Sequence, residues 1–286
     1  MRLTGTLKTF MALAVVAVTA LPPASAQELW ETLSAPLPTP EATTSGYANV
    51  NGAQIYFATY GTGDPLILLH GGLGNTDYWG GQIDAFAKDH KVITIASRGH
   101  GRSTNNGQPY SYSLMASDVL GVMDAMGIAK APIVGWSDGG NIGLDIAINN
   151  PDRLTSLFAF GANFNPSGIK ASVDTNETFG AYVGLSAEYY TKLSKTPDGF
   201  DAFVGELVNM WAEQPNFTPE QLGAIPVPVA VADGDHDEAI DIAHTKQMAA
   251  MIPGSDLIIL PGLSHFAMWQ DPATFNAAVL KFLAAN

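Results

Sequence analysis

The chain has 286 residues, 47% of them hydrophobic, with no cysteine and with 13 basic against 27 acidic side chains, a net charge of −14 at neutral pH. Without cysteine there is no disulfide frame, no thiol chemistry and no thiolate-held metal, so the fold must be held by packing alone. A surface this acidic repels phosphate backbones and anionic lipid heads, which sets nucleic acid and membrane surfaces aside as partners; its bland role is solubility.

Taken in chain order, Arg2 and Lys8 precede an apolar run from Phe10 to Leu21, followed by Ala24, Ser25 and Ala26. This pattern predicts a secretory signal peptide over 1–26, cut after Ala26, and an exported protein, periplasmic or secreted. The run is about a dozen residues, short of the ~20 that span a bilayer, and no later segment is longer and equally apolar, so no membrane association is expected once the signal is gone. Loss of Arg2 and Lys8 takes the net charge to −16 and leaves 260 residues, enough for one α/β domain with an insertion. Residues 27–45, rich in Pro, Thr and Ser, read as an extended arm leading to a domain at 46–286.

Within that domain, Tyr47–Tyr60 reads as two strands about an Asn51-Gly52 turn. Short apolar runs follow at Pro65–Leu69, Val92–Ala96, Pro132–Val134, Leu157–Phe160, Val227–Ala232 and Leu257–Leu260, the pattern of strands buried on both faces of a parallel sheet. Between them Leu114–Met126, Asn141–Ile148, Asp241–Met251 and Pro272–Leu283 space their apolar residues as helices do. The fold class expected is α/β, a doubly wound, mostly parallel sheet opened by an antiparallel hairpin. From about 165 to 224 no strand run occurs, only helix-like stretches with many aromatics, which implies an inserted helical cap over an apolar pocket.

Gly135-Trp136-Ser137-Asp138-Gly139-Gly140 lies between a strand run and a helical stretch, the setting of a nucleophile elbow that presents Ser137 on a strained turn. A serine hydroxyl needs a base, and His265 follows the last strand run in a loop; His90 and His244 read as solvent-facing residues of helical stretches, His100 as part of a Gly-rich turn. The acid that orients the histidine should end the preceding strand, in Asp233-Gly234-Asp235-His236-Asp237-Glu238. Asp237 is favoured because it stands beyond the turn, with Asp235 second. The Asp-His-Asp string is packed too tightly to converge on one ion, so no metal is expected. Backbone N–H groups for a developing oxyanion are expected at Asp138 and at Gly72, with Leu73 next, in His70-Gly71-Gly72-Leu73-Gly74; His70 reads as a brace for that loop.

The order His-Gly-Gly, Gly-x-Ser-x-Gly, Gly-x-x-Asp, His resembles the α/β-hydrolase superfamily over residues 47–286. Arg98–Ser103 is similar to the family's turn after the next strand, with Ala96 where an aspartate often stands. Gly-Trp-Ser-Asp-Gly-Gly with Phe160-Gly-Ala-Asn163 is similar to the valacyclovir hydrolase branch, which would imply that Asp138 binds a substrate amine; the plainer role is a helix cap or a solvent-facing side chain. Together these features imply an esterase with a Ser137–His265–Asp237 triad, acting on a small-molecule ester and needing no cofactor. The alternatives are amide or peptide cleavage, or a non-catalytic binding homologue. A serine in the nucleophile position argues against dehalogenase chemistry. The oligomeric state is left open.

Overall fold

A computed structural model of the protein describes residues 27–286; the predicted signal peptide at 1–26 lies outside the described residues. Eight strands form one sheet: β1 (Thr44–Val50), β2 (Ala53–Tyr60), β3 (Asp64–Leu69), β4 (His90–Ile95), β5 (Ala131–Trp136), β6 (Leu154–Phe160), β7 (Val229–Gly234) and β8 (Asp256–Leu260). Their spatial order is β1-β2-β4-β3-β5-β6-β7-β8. β1 and β2 pair antiparallel with each other, as do β2 and β4, and every other pairing is parallel. The hairpin turns at Asn51 and Gly52, both at positive φ, which Asn-Gly supplies at little cost.

The connections are α1 (Gly80–Phe86), α2 (Tyr112–Ala125), α3 (Asp138–Asn149), α4 (Glu177–Leu193), α5 (Phe200–Glu213), α6 (Pro219–Gly223), α7 (Ile242–Met251), α8 (Ala267–Gln270) and α9 (Pro272–Ala285). Helices α4, α5 and α6 lie between β6 and β7, the interval without a strand run. The central strands are buried on both faces, with Leu66, Ile67, Leu68, Ile133, Val134, Leu157 and Phe158 sealed from solvent. Parallel strands covered by helices read as continuous apolar runs for that reason.

Three details differ from the sequence reading. β7 begins at Val229 rather than Val227, because Pro228 has no N–H to give the ladder and enters only as the acceptor for Leu157 N. β8 is an edge strand, not a doubly buried one, and Leu257 is 45% exposed. His90 opens strand β4, paired with Asp64, rather than lying in a helix. Helix α1 has no signal in the sequence, since it opens on Gly80 and Gly81. Gly80 is required by the arm: a Cβ there would stand 1.8 Å from the Leu37 carbonyl. Elsewhere the arm is held where Gln270 Nε2 donates to Thr32 O at 2.9 Å and Trp30 stacks on His236 at 4.4 Å.

The turn after β4 is fixed by a buried ion pair. Arg98 donates through Nε and Nη2 to the two oxygens of Asp118 on α2, at 2.6 and 2.8 Å, and both side chains are shielded from water. Asn51 adds a third donor to Asp118 at 2.9 Å, tying the hairpin to the same point. The vacant aspartate position at Ala96 is bridged by other groups: Ser103 Oγ donates to Ala96 O and Tyr56 N donates to Ser103 Oγ, both at 2.8 Å. Asp118→Ala strands the Arg98 charge in the interior and should lower the free energy of unfolding by about 3–5 kcal/mol in urea titrations. A loss below about 1 kcal/mol, typical of an exposed pair, would contradict this account.

Candidate active site

Ser137 sits between β5 and α3 with φ 55° and ψ −119°, a backbone conformation that L-residues avoid. The turn is possible because the strand and helix meet through glycines. A Cβ on Gly135 would stand 2.3 Å from Gly139 O, and one on Gly139 would stand 2.1 Å from Leu69 O on β3. The turn is pinned by Ser137 N donating to Phe160 O at 2.7 Å, and the Ser137 carbonyl accepts from Gly140 N and Asn141 N as α3 begins. The side chain is thereby lifted above the C-terminal edge of the sheet.

His265 and Asp237 arrive from the neighbouring strand ends, β8 and β7. His265 Nδ1 donates to Asp237 Oδ2 at 2.6 Å, leaving Nε2 free. Asp237 Oδ1 accepts from Ala239 N and Ile240 N, each at 2.6 Å, so the carboxylate is fully satisfied while sealed from water. Burial opposes ionisation of both groups, but their mutual charge and hydrogen bond outweigh it: Asp237 falls below its ordinary pKa and His265 rises above its own. The second candidate acid, Asp235, points away, bonded to His236 Nδ1 and Gly262 N at 2.7 Å each.

Two contributors were not read from the sequence as parts of this site. Gly161, at φ 59°, leaves room for the pair, since a Cβ there would stand 2.8 Å from the His265 ring; its place directly after a strand run was the available signal. Glu238 accepts from His265 N at 3.0 Å and from Ser264 Oγ at 3.3 Å, so it holds the histidine loop from beneath.

The Gly-rich loop after β3 shows why His70 stands there. Its Nδ1 donates to Gly71 O at 2.8 Å, Gly74 N donates to the same carbonyl at 3.0 Å, and Ser97 N donates to Nε2 at 3.1 Å. N–H and C=O of a trans peptide point in opposite directions, so fixing the Gly71 carbonyl fixes the Gly72 N–H. Burial lowers the His70 pKa to about 4, which keeps this neutral tautomer. Gly72 itself must lack a side chain, since its Cβ would stand 2.4 Å from the Trp211 ring. Leu73, at φ 63°, is beside it on the same wall.

The Asp138 side chain neither caps α3 nor faces solvent. It turns inward, where Tyr112 Oη donates to Oδ1 at 2.7 Å and Trp211 Nε1 bridges both oxygens at 3.0 Å. Burial raises its pKa despite these donors. Ser137, His265, Gly72 and Asp138 line one cavity of about 520 Å³, walled by the segment before α4 and by α4 and α5, including Ile169, Val173, Phe179, Val204 and Trp211. Of the remaining histidines, His244 is buried rather than solvent-facing: it stacks on Phe164 at 3.9 Å and accepts from Phe164 N. His100 is buried against Phe203 of α5, its pKa lowered to about 3. Among the described residues no group of three or more His, Asp or Glu side chains is placed to hold a metal ion.

A model of the alpha/beta hydrolase fold family matches residues 64–194. A protein of Caulobacter segnis named "Putative carbamate hydrolase RutD" is 30% identical over 245 residues, covering 77% of this chain and 92% of its own length. The chain belongs to the α/β-hydrolase fold family. A further member, the non-heme haloperoxidase of Rhodococcus erythropolis, is 26% identical over 267 residues, 82% of this chain and 97% of its own. Among solved structures of this fold, one described as an N-acyl homoserine lactone degrading enzyme is 26% identical with a TM-score of 0.66, covering 82% of this chain and 99% of that one. The elbow, the Gly-rich loop and the cavity described above are this α/β hydrolase's version of the common frame.

The end of β7 adds one more buried acid. Asp233 accepts from Gly234 N at 2.9 Å and Thr245 Oγ1 at 2.6 Å. Burial, the Asp237 charge and a hydrogen bond shared with Asp237 push its pKa well above the ordinary carboxyl value. A carboxyl raised on folding gives stability that is whole below its unfolded pKa and drains away as pH rises through the folded value. Asp233→Asn has no proton to lose. The difference in unfolding free energy, variant minus wild type, should therefore climb as pH rises from about 4. A difference that stays flat with pH would show that Asp233 is ionised in the folded protein.

Proposed function

We propose that this α/β hydrolase is a serine esterase in which Ser137 attacks a carboxylic ester, forming an acyl-enzyme that water then releases. The observation that carries the reading is the 2.6 Å His265–Asp237 pair opening onto the same cavity as a serine held at positive φ. In the first step Ser137 Oγ bonds to the carbonyl carbon, and its proton passes to His265 Nε2. Asp237 keeps the opposite nitrogen protonated and balances the imidazolium. The oxyanion is received by the N–H groups of Gly72 and Asp138, the first aimed by the His70 brace. His265 then returns its proton to the departing alkoxide, and a water deprotonated by His265 repeats the sequence on the acyl-enzyme.

The substrate is read as a small ester with an apolar body, matching the apolar walls of the cavity. The resemblance to the valacyclovir hydrolase branch suggests amino-acid esters, but Asp138 is already occupied by Tyr112 and Trp211, and its raised pKa weakens it as an ammonium partner. An α-amino group should therefore bring no advantage: phenylalanine methyl ester should be cleaved no faster than its des-amino analogue. Export, read from residues 1–26, belongs to the same proposal, and intact-mass analysis of the recovered protein should find Gln27 at its N-terminus.

The deciding experiment pairs aryl ester hydrolysis with fluorophosphonate labelling. Wild type should do both and Ser137→Ala neither; an inert, unlabelled wild type would overturn the reading. The pH profile carries a second check. His265 must be neutral to act as base, and its pKa is raised, so kcat/KM should fall on the acid side at a higher pH than for an ordinary imidazole of about 6.5. His70→Ala frees the Gly72 peptide, and kcat should drop roughly 100-fold, the scale of one lost oxyanion donor, with little change in KM. A rise in KM alone would instead make His70 a binding residue.

A further inference from the structure

One charged side chain in the cavity wall has no part in the chemistry above. Lys170 lines the cavity, half-buried, in the segment that crosses from β6 to α4. Its backbone is fixed against the acid loop: Lys170 N donates to Ala239 O at 2.8 Å, Asp241 N donates to Gly168 O at 2.9 Å, and Ile169 bridges to Ile240. Its ammonium donates to the backbone carbonyl of Asp237. That acceptor carries no charge and takes one of three donors, so the ammonium keeps two N–H groups and its full charge.

Among the described residues no carboxylate lies within ion-pair distance of Lys170; the pairs present belong to Arg98, Arg102, Arg153, His236 and His265. The other Asp, Glu and His residues lining the cavity are His265, Asp138, whose oxygens are taken by Tyr112 and Trp211, and the exposed Asp174. In a protein of net charge −14 an unpaired cation on an otherwise apolar wall is a local reversal of the general field. Partial burial strengthens its attraction for an anion relative to water.

We infer that Lys170 is an anion subsite of this cavity, and that the substrates are esters carrying a carboxylate a few carbons from the scissile bond. The inference rests on the esterase reading and refines it: the apolar walls take the chain and the ammonium takes its charged end. The carboxylate can belong to the acyl half or to the alcohol half.

The test uses two series with wild type, Lys170→Met, Lys170→Arg and Ser137→Ala. In the first, para-nitrophenyl half-esters of straight diacids are compared with the same compounds capped as methyl esters. In the second, butyrate esters of ω-hydroxy acids are compared with their methyl-capped forms by proton release. The readout is kcat/KM for the carboxylate form divided by that for the capped form. In one of the series wild type should favour the carboxylate form, Lys170→Met should lower the ratio roughly tenfold or more, and Lys170→Arg should keep most of it. The series that responds identifies the half that carries the charge.

Capped esters cleaved by wild type without carboxylate preference in either series would overturn the inference and leave the esterase reading intact. So would a ratio unchanged in Lys170→Met, even with both rates lowered, since that outcome makes Lys170 only a support for the Asp237 loop. A wild type inert toward both the carboxylate and the capped forms of both series, or cleavage of either form by Ser137→Ala, would instead overturn the esterase reading.

Discussion

The structure depends on how closely β5, α3 and β3 approach one another at Ser137. The hydroxyl can stand above the sheet only if the chain turns from strand to helix within one residue, and that turn needs a backbone conformation that serine does not choose. The cost is met by contacts available only at near-zero separation. Gly135 lies against Gly139, Gly139 lies against the Leu69 carbonyl, and Ser137 N is held by Phe160 O. Because Leu69 ends the strand that leads into the Gly-rich loop, the same contact sets the height of Gly72 relative to Ser137. Ser137 and the Gly-rich loop are therefore positioned by one packing event and not by two independent loops.

The segments between β6 and β7 complete this site. Trp211 of α5 bridges the Asp138 carboxyl, and Tyr182 of α4 donates to Gly72 O at 2.5 Å. Asn163, just after β6, exchanges two hydrogen bonds with Asn141 of α3 at 2.8 and 3.0 Å, which anchors the departure of the chain to the helix that follows Ser137. The inserted region thus tethers the Gly-rich loop through Tyr182 and Asp138 through Trp211, and the same helices wall the cavity. Movement of α5 away from the sheet would break the Trp211 bonds and leave a buried carboxyl with Tyr112 as its remaining side-chain donor.

Much of this was legible in the sequence because strands buried on both faces must be apolar throughout, so six short runs declared the parallel sheet, and the hairpin declared itself through Asn51-Gly52. Ser137, Asp237 and His265 were legible because each follows a run in chain order. Position against Asp235 could be argued from the turn, although only the folded loop shows Asp235 spent on His236 and Gly262. What escaped were residues whose role is set by distant partners. Helix α1 opens on a bare Gly80 because the arm crosses it there, His244 is buried because Phe164 covers it, and Gly161 is empty space for an imidazole more than a hundred residues away. Asp138 was the sharpest case: its neighbours in sequence suggest a cap or a solvent-facing group, and nothing local shows that Tyr112 and Trp211 converge on it.

The same limit applies to charge. Asp138, Asp233, Asp237 and Glu238 crowd around one histidine, and four buried carboxylates beside a single imidazole would repel one another strongly in a medium of low dielectric. The structure avoids this by distributing donors unequally. Asp237 receives two backbone N–H groups, His265 and a hydrogen bond shared with Asp233, and it alone of the four is held below its ordinary pKa. Asp233, Asp138 and Glu238 are all pushed upward by burial. The acid whose ionised form is favoured is thereby the one that faces His265 Nδ1, where the proposed acyl transfer would place an imidazolium. Within the acidic string after β7, Asp235 is turned away onto His236 and Gly262, Asp233 and Glu238 are pushed upward by burial, and Asp237 alone faces His265 with its pKa held down.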